Sequence, residues 1–199
     1  MRQDATLFSA ANLQSAHFGP VSVILHAGEC VAVQGSSGAG KTLLLRALAD
    51  LDPARGEVRL AGVSRSDIPA PDWRRQVGLL PAESHWWAET VGQHFDSKPR
   101  EELAALGLGL DVSHWPVSRL SSGERQRLAF VRLLSTKPRV LLLDEPTANL
   151  DAENTRSVEA LLKSYLAQNQ AGALWVTHDD QQVSRIADRV LHIEPRSSR

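Results

Sequence analysis

The chain has 199 residues, 42% of them hydrophobic, enough to bury one sizeable core and too few to demand two full domains. Its 22 basic and 23 acidic side chains leave a formal net charge of -1, so no global field draws nucleic acid, which is set aside as a partner. Cys30 is the single cysteine, which excludes an intrachain disulfide or a cysteine-rich metal framework and leaves core filling as its role.

Met1-Arg2-Gln3-Asp4 leads into mixed polar sequence rather than an apolar run, against a secretory signal, and no stretch reaches the roughly 18 apolar residues of a membrane span. A cytoplasmic protein is expected, one that takes any membrane spans from another chain. Strands are predicted at residues 21–25 and 29–34. The second runs into a glycine-rich turn and the helical pattern Leu43, Leu44, Leu45, Ala47, Leu48, which Asp52-Pro53 breaks. Short strands follow at 58–60 and 77–80.

From residue 84 to about 120 the character changes, with Trp86, Trp87 and Trp115, helical runs such as 101–106 and no convincing strand. This reads as a helical insertion closed by a helix over 125–134. Alternation then resumes: strand 140–143, helix 152–168, strand 173–176, helix 181–187, strand 189–193, and a frayed end at 196–199. Strands alternating with helices imply an α/β fold with a mainly parallel sheet. We therefore expect one domain, with residues 1–83 and 137–199 as the core and 84–136 as the insertion.

Gly35-Ser36-Ser37-Gly38-Ala39-Gly40-Lys41-Thr42 matches the G-x-x-x-x-G-K-[ST] phosphate loop and lies between a predicted strand and a helix, where that loop works. Its glycines let backbone N–H groups turn toward phosphate, and the helix start adds free donors and a positive dipole end. Lys41 is expected to reach the β- and γ-phosphates and Thr42 to ligate Mg²⁺. The apolar strand 140–143 ends in Asp144-Glu145. Carboxylates there lie at the carboxyl edge of the sheet, with Asp144 expected to hold the metal and Glu145 to activate the attacking water. Taken alone, Asp144-Glu145-Pro146 also reads as a solvated turn after a strand.

Leu120-Ser121-Ser122-Gly123-Glu124 precedes a helix, and Ser121 with Glu124 has the spacing of a capping box. Gly123 is unfavourable in a helical first turn, which makes a second ligand-facing helix start plausible. His178 follows the predicted strand 173–176.

The phosphate loop, an LSGGQ-like Leu-Ser-Ser-Gly-Glu, Asp144-Glu145 and His178, in that order, resemble the ATP-binding cassette family across nearly the whole chain. That resemblance implies a P-loop NTPase fold with an N-terminal antiparallel β portion and a helical signature subdomain. It implies a head-to-tail homodimer sandwiching two ATP molecules. There Ser121, Ser122, Gly123 and Glu124 of one subunit face the γ-phosphate held by the other subunit's Lys41. His178 would be the histidine switch at the γ-phosphate, and Asp151 in Ala148-Asn149-Leu150-Asp151 the D-loop aspartate, although Asp151 also reads as a plain helix cap. The family further implies ATP hydrolysis powering a separate transmembrane permease, with this subunit peripheral on the inner face of the plasma membrane. Compact size and the 174–179 wording resemble small metal- or iron-export subunits.

Departures from the family pattern are specific. Ala82 stands where the family has a glutamine, with Glu83 beside it, and Ser122 and Glu124 replace consensus glycine and glutamine. The aromatic that stacks on adenine is not obvious, His17 or Phe18 being the candidates. Lys41, Asp144, Glu145 and His178 all match, so hydrolysis is expected. The alternatives are a soluble non-transport family member and a regulatory nucleotide-binding module with little turnover. Trp86 and Trp87 fit either an anchor for a membrane subunit or core packing.

Overall fold

A computed structural model describes residues 6–96 and 99–195; the readings made for residues 1–4 and 196–199 lie outside them. Five strands form a parallel sheet in the order β6-β7-β8-β3-β9, with β3 at Cys30–Gln34, β6 at Val77–Leu80, β7 at Val140–Asp144, β8 at Gly172–Val176 and β9 at Arg189–His192. Four others, β1 (Thr6–Gln14), β2 (Val21–His26), β4 (Arg55–Leu60) and β5 (Val63–Ser64), form an antiparallel sheet ordered β2-β1-β4-β5.

The parallel sheet is apolar on both faces, as a sheet covered on both sides must be. Side chains alternate along β7 and β8. Val140, Leu142, Leu174 and Val176 join the core that the antiparallel sheet shares with helix α1 (Lys41–Leu48). Leu141, Leu143, Ala173 and Trp175 join the opposite core, with helices α4 (Ser122–Ser135) and α5 (Ala152–Asn169). Cys30 opens β3 at 2% exposure, as core filling requires.

Besides the two-residue strand β5, two elements escaped the sequence reading. In β1, register shifts between Thr6 and Phe8 and between Ala10 and Leu13 break the two-residue alternation that marks a strand. Helix α2 (Ala70–Gln76) has seven residues and one buried side chain, Trp73, so it shows no apolar period. In the insertion, the run read at 101–106 is helical and the described elements are α-helices and 3₁₀ turns. Before α4, among the described residues of 84–120, there is one six-residue helix, α3 (Arg100–Ala105), with 3₁₀ turns at Val91–His94, Leu110–His114 and Val117–Arg119. Pro99, Gly107, Gly109 and Pro116 leave no room for longer helices. The last helix, α6, spans Asp180–Ile186.

Because the five strands run parallel, the segments leaving β3, β6, β7 and β8 emerge at one edge. The phosphate loop, Ala82, Asp144-Glu145 and His178 follow those four strands.

Candidate functional site

The phosphate loop owes its shape to backbone crowding. Gly40 adopts φ 91° at the head of α1, and a Cβ there would lie 2.7 Å from Phe18 Cβ. A Cβ on Gly35 would collide with the Ile193 carbonyl oxygen. Only glycine satisfies both positions. Ser36, Ser37 and Gly38 are exposed, whereas Ala39 is buried and anchors the turn.

Lys41 is 8% exposed and donates from Nζ to the carbonyl oxygens of Gly35 at 2.8 Å and Ser36 at 3.0 Å. Its ammonium curls over its own loop, and among the described residues it forms no ion pair. Thr42 Oγ1 donates to Asp144 Oδ2 at 2.8 Å. Burial pushes the Asp144 carboxyl above its ordinary range; the Thr42 hydrogen bond opposes that, Glu145 adds to it, and Lys41 opposes it. These two oxygens suit a hard cation but number fewer than the six of an octahedral Mg²⁺, so phosphate and water must supply the rest.

Glu145 leaves β7 with φ 46°, a left-handed conformation that a non-glycine residue adopts at a cost of roughly 1–2 kcal/mol. Its N–H donates to Val176 O at 3.2 Å, and its carbonyl accepts from Ala148 N at 3.2 Å. That strained turn, followed by Pro146, aims the carboxylate at His178, whose Nε2 stands 3.3 Å from Glu145 Oε1. Strain of this kind concentrates where a side chain must be aimed. Both side chains remain reachable, His178 at 53% and Glu145 at 39% exposure.

At the head of α4, Ser121 Oγ accepts from Glu124 N, and Glu124 Oε2 accepts from Ser121 N and Oγ, so the capping box forms. Hydrogen bonds from the Ser121 backbone and hydroxyl hold the Glu124 carboxyl below its ordinary range. Ser121 and Ser122 are exposed. Gly123 lies close to Asn149 and Leu150, where an added Cβ would make ordinary contacts at 3.4 Å, so its lack of a side chain leaves the helix start open rather than relieving a clash. Asp151 caps α5, accepting from Asn154 N and Nδ2 at 2.8 Å. Those bonds, the backbone one first, hold its carboxyl low.

The structure thus brings Lys41, Thr42, Asp144, Glu145 and His178 to one edge. Ser121–Glu124 and Asp151 form a second group that shares no hydrogen bond or ion pair with residues 35–42 among the described residues. Beside the loop lies a cleft of about 730 Å³ lined by His17, Phe18, Leu43, Pro53 and Arg55 among others. Here one candidate is corrected: Phe18 is 1% exposed, packed beneath Gly40, and has no free face for a base, whereas His17 is exposed at the rim.

The two tryptophans differ in burial. Trp86 is half-buried against the second core and Trp87 is 72% exposed, with His94 edge-on to both and Arg132 lying 4.6 and 4.9 Å from their ring centroids. Ala82 is exposed just beyond β6. Sequence reasoning missed Gln34, which donates to Asp180 at 2.9 Å, and Gln182, buried between β8 and the segment after Glu145. No motif marks either glutamine; only the strand order brings them there.

A glycine-cradled lysine after an interior strand, with a hydroxyl–carboxylate pair at the end of β7, one strand removed, defines a P-loop nucleotide-binding ATPase. The ABC transporter family model matches residues 18–148, more than half of the chain, and the chain belongs to that family as an ATP-binding, ATP-hydrolysing subunit. It is 35% identical to the lipoprotein-releasing system ATP-binding protein LolD of Chromohalobacter salexigens, over 96% of this chain and 84% of that protein. It is 34% identical to LolD of Pseudomonas syringae pv. tomato, over 96% of each. Against the aliphatic sulfonates import ATP-binding protein SsuB 3 of the same organism it is 39% identical, over 87% of this chain and 66% of that protein. The metal- or iron-export subtype draws no support from these relatives. No helix among the described residues is long and apolar enough to cross a membrane.

Proposed function

We propose that this subunit hydrolyses ATP as a head-to-tail homodimer and passes the resulting opening and closing to a separate transmembrane permease. Residues 35–42 bind the phosphates, and Lys41 exchanges its loop carbonyls for the β- and γ-phosphate oxygens. Thr42 and Asp144 hold Mg²⁺, which when bound neutralises charge on the phosphates. Glu145 orients and deprotonates the attacking water, and His178, 3.3 Å away, steadies that carboxylate and faces the γ-phosphate. Ser121, Ser122, Gly123 and Glu124 close over the partner subunit's nucleotide, with Asp151 at the seam. His17 lies against the base in the adjoining cleft.

The observation that carries this reading is the pairing of Thr42 with Asp144 at 2.8 Å beside Glu145 and His178 at one sheet edge. The permease would dock near Ala82 and the exposed Trp87, on the inner face of the plasma membrane. Residues 84–136 serve as the signature-bearing lobe of a single domain.

The experiment is Mg²⁺-dependent ATPase activity of the purified protein against protein concentration, with Lys41→Ala and Glu145→Gln alongside. Turnover per subunit that rises with concentration and collapses in both variants supports the dimeric ATPase. Ala82 favours a second reading, a regulatory module; ATP binding without turnover, with or without a membrane partner, would establish that instead.

A further inference from the structure

Gln182 lies four residues beyond His178, in the first turn of α6, and is 3% exposed. Both of its amide hydrogens and its oxygen have partners. Nε2 donates to Thr147 Oγ1 at 3.0 Å and to Glu159 Oε1 at 3.0 Å, and Oε1 accepts the Trp175 indole N–H at 3.2 Å. These partners fix which way the amide points. Turned over, it would set an N–H against the indole N–H and an oxygen against a carboxylate. Trp175, Thr147 and Glu159 are themselves 0%, 9% and 5% exposed, so a bond lost here is not replaced by water without rearrangement.

The chain positions of these partners matter more than their number. Trp175 precedes His178 by three residues and Gln182 follows it by four, so one hydrogen bond closes the segment that carries the imidazole. Thr147 follows Glu145 by two, so a second bond ties that closed segment to the turn that carries the carboxylate. The third runs to α5, where Glu159 also takes two bonds from Arg185, at 2.9 and 2.8 Å. Burial pushes the Glu159 carboxyl up, but the bonds from Arg185 and Gln182 outweigh it and keep it below its ordinary range, ready to accept.

We propose that Gln182 is a positioning residue for hydrolysis: through Trp175 and Thr147 it sets the separation of His178 and Glu145. Its side-chain bonds run to Trp175, Thr147 and Glu159, so it acts through its neighbours. This inference rests on the assignment of Glu145 and His178 made above.

The test compares kcat and KM for ATP in four proteins, each assayed below its own melting temperature. Gln182→Met keeps length and volume without polar atoms, Thr147→Val keeps shape without the hydroxyl, Thr147→Ser keeps the hydroxyl, and the fourth combines Gln182→Met with Thr147→Val. Misplaced catalytic groups lower kcat steeply, so the first two lose about tenfold or more in kcat while KM stays within about twofold, because the phosphate loop lies outside the network. Thr147→Ser restores kcat, and the double variant is no slower than the worse single, because both break one connection. Near-wild-type kcat in Gln182→Met, equal losses in Thr147→Ser and Thr147→Val, or multiplying losses in the double variant would each overturn the proposal. If Gln182→Met does not fold, the two Thr147 variants decide. Glu145→Gln and His178→Ala serve as controls. If they keep wild-type turnover, the site assignment fails and this inference with it. If they collapse turnover and Gln182→Met does not, this inference alone fails.

Discussion

Thr42 Oγ1 and Asp144 Oδ2 meet at 2.8 Å across 102 positions of sequence, one at the head of α1 and the other at the end of β7. The hydroxyl donates to the carboxylate, and burial still holds the Asp144 carboxyl above its ordinary range. An ionised Asp144 therefore strains the nucleotide-free protein. Asp144→Asn keeps the acceptor for Thr42 and removes the charge. It should raise nucleotide-free stability by about 1 kcal/mol, roughly 2–4 °C in melting temperature for a chain of this size, while abolishing Mg²⁺-dependent turnover. Calorimetry beside an ATPase assay measures both, and a lower melting temperature would contradict the account.

Lys41 has two carbonyl partners and no ion pair among the described residues. Its ammonium is thus held ready for an anion rather than used for folding. Lys41→Met should weaken ATP binding by at least about tenfold, the loss of roughly 1.4 kcal/mol or more, and leave the nucleotide-free melting temperature unchanged or higher. Titration with ATP and a thermal melt without it separate the two effects.

Burial pushes the Cys30 thiol up from 9.0 to about 12, with Asp188 adding to the shift. The sign follows: a raised value means stability fully present below pH 9.0 and lost as pH climbs toward 12, by about 1.4 kcal/mol per unit. Tyr165, whose hydroxyl donates to Pro138 O at 2.8 Å, is also pushed up by burial, so the measurement must be a difference. Denaturant melts of wild type and Cys30→Ala should converge as pH rises from 8 to 10. At pH 8 iodoacetamide should label Cys30 only after unfolding.

Trp73 is fully buried between the two sheets, tilted against Phe8 with ring centroids 6.1 Å apart, and its indole donates to Leu48 O at 2.9 Å. That bond anchors α2 to the end of α1. Trp73→Ala should cost about 3–5 kcal/mol from the cavity and the orphaned carbonyl. Trp73→Phe should cost less, and comparing denaturant midpoints of the two apportions packing and hydrogen bond.

What could be read directly from sequence was what is local. The Gly35–Thr42 loop, the apolar run ending in Asp144-Glu145, the Ser121–Glu124 capping box and the strand ahead of His178 each span few residues and carry their own pattern. Strand β1 and helix α2 stayed hidden because bulges erased the alternation of one and a single buried residue gave the other no period. The insertion reads as helical and its elements are helical, but its prolines and glycines keep those ahead of α4 short.

The sequence by itself determined a phosphate-binding ATPase site, because phosphate chemistry demands glycines, a lysine and carboxylates at fixed spacing, while the ordered signature and histidine motifs carried the resemblance to the ABC family. Only the tertiary structure decided which side chains meet. The order β6-β7-β8-β3-β9 brings Thr42 to Asp144, His178 to Glu145 and Gln182 to Thr147, and it buries Phe18 while leaving His17 free. Those pairings are set by strand order and core packing, to which residues far apart in the chain contribute jointly, and no local spacing encodes them.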